Sequence, residues 1–224
     1  MFLFPVFLSP FSFDFFGLAI RWYSLSYILC FIYFYVFAAS HLNDFNLDKK
    51  KLDDLFFYLF LSVIIGGRLG YVIFYNFSFY SSNPLDILKV WEGGMSFHGA
   101  LFGIILTTII FSKLYYIKLF LLADFLSITA PLGIFFVRLS NFVNQELIGR
   151  KTDFFISIRY SGEEFYRHLS QIYEAVFEGI ISFIILFCIF KFLKKVPKVL
   201  ITSIFLLNYS IVRFLFDDLR APDV

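Results

Sequence analysis

The sequence predicts an all-α polytopic membrane protein with about six transmembrane helices and a short extracytoplasmic loop or head. Composition is the first reason. Of the 224 residues, 60% are hydrophobic and 16% charged, with a mean hydropathy of +0.81, whereas an ordinary soluble domain is about 25% charged. The second reason is length, because six apolar runs approach the roughly 20 residues that a helix needs to cross the hydrocarbon of a bilayer. The third is the division of basic residues between alternate connections, which is the usual mark of membrane orientation.

Taken in chain order, the spans are Trp22–Ser40, Leu55–Tyr75, Ser96–Phe111, Leu119–Val137, Leu169–Phe190 and Val199–Phe216. The N-terminal stretch Met1–Phe16 has no basic residue and carries Asp14, unlike the positive start of a cleavable signal peptide, so it reads as mature protein. Lys49, Lys50 and Lys51 follow the first span, Lys113 and Lys118 the third, and Lys191, Lys194, Lys195 and Lys198 the fifth. These nine of the eleven lysines, and none of the eight arginines, lie in connections that parity puts on one side, the cytoplasmic one. The N-terminus is therefore expected outside. Residues 1–224 are read as a single transmembrane domain, with the longest polar stretch, 138–168, as its extracytoplasmic loop or head.

Several classes are disfavoured. A net charge of +2 gives no bulk basic field for nucleic acid. Cys30 and Cys188 sit in apolar runs without a partner at metal or redox spacing, so they read as small buried hydrophobes and no metal is expected. The 36 phenylalanines are no more than a composition bias.

The arginines follow another logic. Arg150, Arg159 and Arg167 fall in the outer loop, and Arg68, Arg138 and Arg213 lie within spans or at their outer ends. An arginine in hydrocarbon costs upward of ~2.5 kcal/mol and usually lines a wet cavity or serves function. Its planar fork grips phosphate bidentately and stays charged. An outer-leaflet site for an anionic lipid head group follows, with interface snorkelling as the alternative for Arg21 and Arg68.

Polar constellations sharpen this picture. Arg138 and Asn141 are at i,i+3, on one face of any helix that continues past the fourth span. Tyr209, Arg213 and Asp217 fall at i, i+4 and i+8 and offer a phenol, a guanidinium and a carboxylate on one stripe. Gln171, Glu174 and Glu178 form a matching stripe whose carboxylates must be paired or protonated. Gly66 and Gly70 have the spacing that lets helices approach closely. His98, flanked by glycines where the third span begins, is a candidate proton acceptor near neutral pH.

These pieces coincide with one family pattern: the chain resembles the prolipoprotein diacylglyceryl transferases. Arg21–Tyr27 is similar to the family's opening WYGL motif, and Gly66–Asn76 to its glycine-arginine segment. Trp91–Gly99 resembles WxGGMSFHGG, Arg138–Arg150 resembles GRxGNFxNGELxGR, and Arg167–Glu174 resembles RHPSQLYE. Tyr209–Asp223 carries the terminal Tyr, Arg, acidic, Arg, Pro-Asp order. The resemblance implies phosphatidylglycerol as donor, the lipobox cysteine thiol in the signal-peptide region of prolipoproteins as acceptor, and glycerol phosphate as leaving group. It implies a bacterial inner-membrane enzyme with its active site toward the extracytoplasmic side, no cofactor, and the first step of lipoprotein maturation.

The same resemblance assigns function to Tyr23, His98, Arg138, Asn141, Glu146, Gly149, Tyr209 and Arg213, with Asp217 where the family usually has Glu. In that reading His98 is the base, with Tyr209 as the alternative proton relay. Arg138 and Arg213 hold the phosphate, Tyr209 and Asn141 orient the head group, Glu146 orients an arginine, and Tyr23 lines the cavity. Ser24, Ser140 and Gln145 replace family glycines, Ala100 another, and Leu169 a proline. Members usually continue into one more hydrophobic span, whereas this sequence stops at Val224, so six spans with both ends outside are expected. Two other readings remain: a scramblase or transporter of anionic lipids, and a catalytically inactive homologue.

Overall fold

The computed structural model describes residues 1–3, 11–15, 18–193 and 196–222, with backbone alone for 11–15 and 18–21. Lys194, Lys195 and Asp223, and the side chain of Arg21, therefore lie outside the described residues. Among the described residues six helices are long and apolar enough to cross a membrane. They are α1 (Trp22–Ser40), α2 (Lys49–Phe74), α3 (Phe97–Leu114), α4 (Leu119–Val143), α5 (Ser170–Phe192) and α6 (Leu200–Asp217). The polarity pattern is that of a membrane protein: Phe74, Phe192 and Phe214 are exposed, while Gln171, Glu174 and Glu178 are fully buried.

The helix ends explain where the predicted spans were short. α2 begins six residues before the expected Leu55 because Asp48, in extended backbone, caps it by accepting from Lys51 N at 2.8 Å. Its first turn is polar, so hydropathy does not see it. α3 starts behind Ser96, whose Oγ accepts from Gly99 N at 3.2 Å. α4 runs through Val143 rather than stopping at Val137, despite Pro131 inside it, so Arg138 and Asn141 are helical. α5 contains a π-helical stretch, Ala175–Ile181, a geometry found mostly as short insertions at functional sites. α6 has no capping side chain of its own and enters through Val199 at φ +66. Asp124 of α4 supplies the cap, accepting from Val199 N at 2.9 Å, Thr202 N at 2.8 Å and Thr202 Oγ1 at 2.7 Å.

The chain forms two compact units, Phe37–Ala123 and a second made of Met1–Val36 with Asp124–Val224. In the first, α2 and α3 cross on glycines. A Cβ on Gly66 would stand 2.5 Å from Gly99 O, and one on Gly70 would stand 2.7 Å from Gly99 Cα. The spacing that sequence showed on α2 is answered by Gly99 and Gly103 on α3. In the other unit, the polar stretch before α5 holds a small sheet that hydropathy gave no sign of. β4 (Ser157–Arg159) pairs parallel with β1 (Phe2–Leu3) and antiparallel with β5 (Arg167–His168). Beneath it Ile158, Tyr160 and Leu169 pack with Phe142, Ile148, Ile172 and Tyr173. A separate hairpin joins β2 (Phe11–Phe15) to β3 (Leu18–Arg21).

Candidate active site

Buried carboxylates organise the first cluster. On α5, Gln171, Glu174, Glu178 and Ser182 form one inward stripe, each essentially inaccessible. Two arginines from flanking helices reach them. Arg138 of α4 donates from Nε (3.1 Å) and Nη2 (2.9 Å) to Glu178 Oε2 and stands 2.9 Å from Glu174 Oε2 through Nη1. Arg213 of α6 donates from Nη1 to Glu174 Oε1 at 2.8 Å and reaches Asp217 Oδ1 at 3.4 Å through Nη2. Glu174 thus joins both guanidiniums, one to each oxygen. The requirement that these carboxylates be paired or protonated is met by pairing, and the expected Arg213–Asp217 contact is present. Half-buried Tyr209 lies close enough to feel the charges of Glu178, Arg138 and Arg213.

In this network the two buried carboxylates balance and orient Arg138 and Arg213. A phosphate entering it would exchange carboxylate contacts for its own, with the forks already oriented. Glu178 Oε1 makes no hydrogen bond among the described residues but lies 4.0 Å from Arg213 Nε.

A second cluster lies at the end of α4 in the same unit. The Tyr23 hydroxyl donates to Glu146 Oε2, and Asn141 Nδ2 donates to the Tyr23 oxygen and, at 3.3 Å, to Glu146 Oε2. Asn144 adds a longer contact at 3.5 Å. The expectation that Glu146 orients an arginine is corrected here: among the described residues its partners are a phenol and two amides. The turn carrying it is fixed from both sides, by Glu146 N donating to Asn141 O at 2.9 Å and by Gln171 Nε2 donating to Glu146 O at 2.6 Å. Gln145 and Leu147 flank it at φ +55 and +54. A left-handed backbone explains why the family pattern has glycine at Gln145.

Two further departures, Ser140 and Leu169, are also accommodated. Ser140 is buried and its Oγ lies 2.5 Å from Ser26 Oγ, so the added side chain makes a helix–helix hydrogen bond. Leu169 is part of the buried core under the sheet. Gly149 sits where a Cβ would collide with the His168 carbonyl, and His168 N donates to Arg150 O at 3.0 Å. Its glycine is needed for backbone approach. Burial pushes the His168 imidazole below its ordinary pKa.

Arg68 and His98 belong to the other unit. Arg68, 3% exposed, donates to five carbonyls: Ile87 from Nε at 2.9 Å, Gly93 (2.5 Å) and Gly94 (3.3 Å) from Nη1, and Asp86 (2.6 Å) and Lys89 (3.1 Å) from Nη2. Its ring face contact is Tyr80, at 5.0 Å. Neither anion gripping nor snorkelling describes it, because it is a buried organiser of the 86–94 connection. Arg167 is likewise engaged, with Glu163 and the Gly149 carbonyl. His98 is the second residue of α3, exposed, with its ring edge-on to Phe97 at 5.6 Å. Among the described residues no three His, Cys, Asp or Glu side chains are grouped to hold a metal ion.

Sequence reasoning named the arginines, Gln171 and both buried glutamates of the first cluster and Tyr23, Asn141 and Glu146 of the second, but not Ser182, the Asn144–Glu146 contact or the Ser26–Ser140 contact beside them. It also missed the cap from Asp124. A lone buried acid in an apolar span was the available signal for that cap.

Comparison with known proteins adds the chain's relations. A profile of the family "Prolipoprotein diacylglyceryl transferase" matches residues 10–224. The chain is 43% identical over 212 residues to the phosphatidylglycerol–prolipoprotein diacylglyceryl transferase of Ehrlichia canis (strain Jake), covering 92% of this chain and 80% of that protein. The Rickettsia bellii (strain OSU 85-389) protein of the same name is 39% identical over 221 residues, covering 97% and 84%. That of Bordetella avium (strain 197N) is 41% identical over 211 residues, covering 92% and 79%.

Proposed function

Because the chain belongs to the prolipoprotein diacylglyceryl transferase family, we propose that it moves the diacylglyceryl group of phosphatidylglycerol onto the lipobox cysteine thiol of a prolipoprotein. The single observation that carries this reading is the pair Arg138 and Arg213, held on the buried carboxylates Glu174 and Glu178. Two aligned forks, one on each of two membrane helices, suit a lipid phosphate.

The chemistry needs three things. The thiol must lose its proton, since the thiolate is the nucleophile. Sulfur then bonds to the glycerol carbon of the diacylglyceryl group as the bond from that carbon to the phosphate oxygen breaks. The electron pair leaves with the oxygen, and glycerol phosphate departs. Arg138 and Arg213 stabilise the charge that gathers on the phosphate, an effect worth several kcal/mol in comparable sites. His98 takes the thiol proton, with Tyr209 as the alternative relay. Asn141 and Tyr23, tied to Glu146, shape the head-group side, while Gly149 and Asp217 support the loop and Arg213.

The lysines of the 41–51, 113–118 and 191–198 connections favour placing those ends in the cytoplasm. The opposite ends, with residues 138–168 as the extracytoplasmic head of a single domain, then face outward from the bacterial inner membrane.

The test is the mass of a lipobox peptide after incubation with purified protein and phosphatidylglycerol. The reading expects a diacylglyceryl adduct on cysteine and none when the cysteine is serine. Movement of labelled lipid between leaflets without any adduct would instead favour a scramblase.

A further inference from the structure

A cavity of about 350 Å³ opens beside the arginine network, lined by Arg150, Arg213, Asp217, Arg220, Ala221 and Pro222. Its walls are built before any ligand arrives. Arg150 N donates to Leu219 O and Ala221 N to Ile148 O, each at 2.9 Å. Arg150 Nε donates to Arg220 O at 2.9 Å, and Gly149 pairs with Arg220 as an antiparallel bridge. The two segments that carry Arg150 and Arg220 are thereby fixed against each other. Arg213 belongs to both places, with Nη1 on buried Glu174 and Nη2 toward Asp217 on the cavity wall.

The charges of the two places differ. The inner network balances Arg138 and Arg213 with Glu174 and Glu178. Beside Arg213, which is already balanced there, the cavity wall adds two guanidiniums, Arg150 and Arg220, against the one carboxylate of Asp217. The reaction makes a matching change. The donor's phosphodiester carries one negative charge, whereas a departing phosphomonoester carries about −1.5 to −2 near neutral pH. The departing group has also lost its acyl chains, so it is at home in water. An excess of guanidinium over carboxylate on this backbone-braced wall, at the polar end of α6, favours the product over the donor.

We propose that the Arg150–Arg213–Arg220 cavity is a product site, which takes glycerol phosphate from Arg213 and draws it out of the membrane. The ligand's identity rests on the transferase reading above; the chemistry recognised is a phosphate bearing glycerol. A lipid head group presents the same chemistry, so the experiment separates the two.

Equilibrium binding of radiolabelled glycerol phosphate, and separately of phosphatidylglycerol, is measured on the purified protein in detergent. Arg150→Gln and Arg220→Gln should each weaken glycerol phosphate binding about tenfold or more, the loss expected for one charge-assisted contact. Their effect on phosphatidylglycerol should be several times smaller. Arg220→Lys, which keeps the charge, should recover part of the loss and shows that the site has folded. The proposal is overturned if wild-type protein shows no saturable binding of glycerol phosphate. It is also overturned if both glutamine variants bind as wild type, or if they weaken the lipid by the same factor. Transfer measured on the same preparation reports on the transferase reading alone. Absent transfer with binding that depends on Arg220 would sink that reading and leave the site standing.

Discussion

Arg138 and Glu178 are joined across two membrane helices by a pair of hydrogen bonds, 3.1 and 2.9 Å, onto a single carboxylate oxygen. The glutamate is fully buried and the arginine nearly so. Such a pair is costly to break because Arg138 would keep its buried charge with only Glu174, already shared with Arg213, to balance it. Glu178→Ala should destabilise the protein by about 3–5 kcal/mol, seen as a lower thermal midpoint in detergent. Glu178→Gln keeps the shape and one acceptor, and should lose less. Equal midpoints for Glu178→Ala and wild type would remove the network from the account.

Asp124 is predicted to hold α6 in place. Asp124→Ala deletes three hydrogen bonds to the first turn of a helix that has no cap of its own. The expected loss is about 2 kcal/mol, and Asp124→Asn should retain much of it through one remaining acceptor. Hydrogen exchange at Val199 and Thr202 reads the effect locally. Unchanged protection there in the alanine variant would contradict the trans-helix cap.

Arg68 should behave as a structural residue. Arg68→Lys places one compact ammonium where a planar fork now serves five carbonyls. We expect a loss of about 3 kcal/mol and faster proteolysis within 86–94, because the connection loses its anchor. Phosphatidylglycerol affinity should fall only through that disorder. Wild-type proteolysis with a selective loss of lipid binding would return Arg68 to the anion site.

His168 gives a pH dependence whose sign follows from burial. Its folded pKa lies below the ordinary value near 6.5, so above that value the ring is neutral in both states and its contribution is fully present. As pH falls through 6.5, the unfolded chain takes up a proton that the folded one resists, and stability declines. The slope of thermal midpoint against pH between about 7.5 and 5.5 should flatten in His168→Asn. An unaltered slope would show that another group carries it.

The sequence made the spans legible because lipid demands long apolar runs, and Trp22–Ser40 appears with the expected bounds. It hid the ends that are polar, since Lys49–Asp54 and Arg138–Val143 are helical by capping and hydrogen bonding rather than by hydropathy. The sheet of β1, β4 and β5 was invisible for a related reason: its strands are two or three residues long, too short for an alternating pattern. Tyr209, Arg213 and Asp217 could be read as one stripe from spacing alone. That Glu174 would bridge Arg138 and Arg213 could not, because it depends on how three helices meet.

The measurement that tests the central claim most directly is radiolabelled diacylglyceryl transfer from phosphatidylglycerol to a lipobox peptide, with purified wild-type protein beside Arg138→Ala. The account predicts transfer by wild type and a fall of about 10²-fold or more in the variant, with the variant still folded in detergent. Transfer at the wild-type rate by Arg138→Ala would contradict the phosphate role of the arginine network, and absence of transfer by the wild-type protein would contradict the enzyme reading itself.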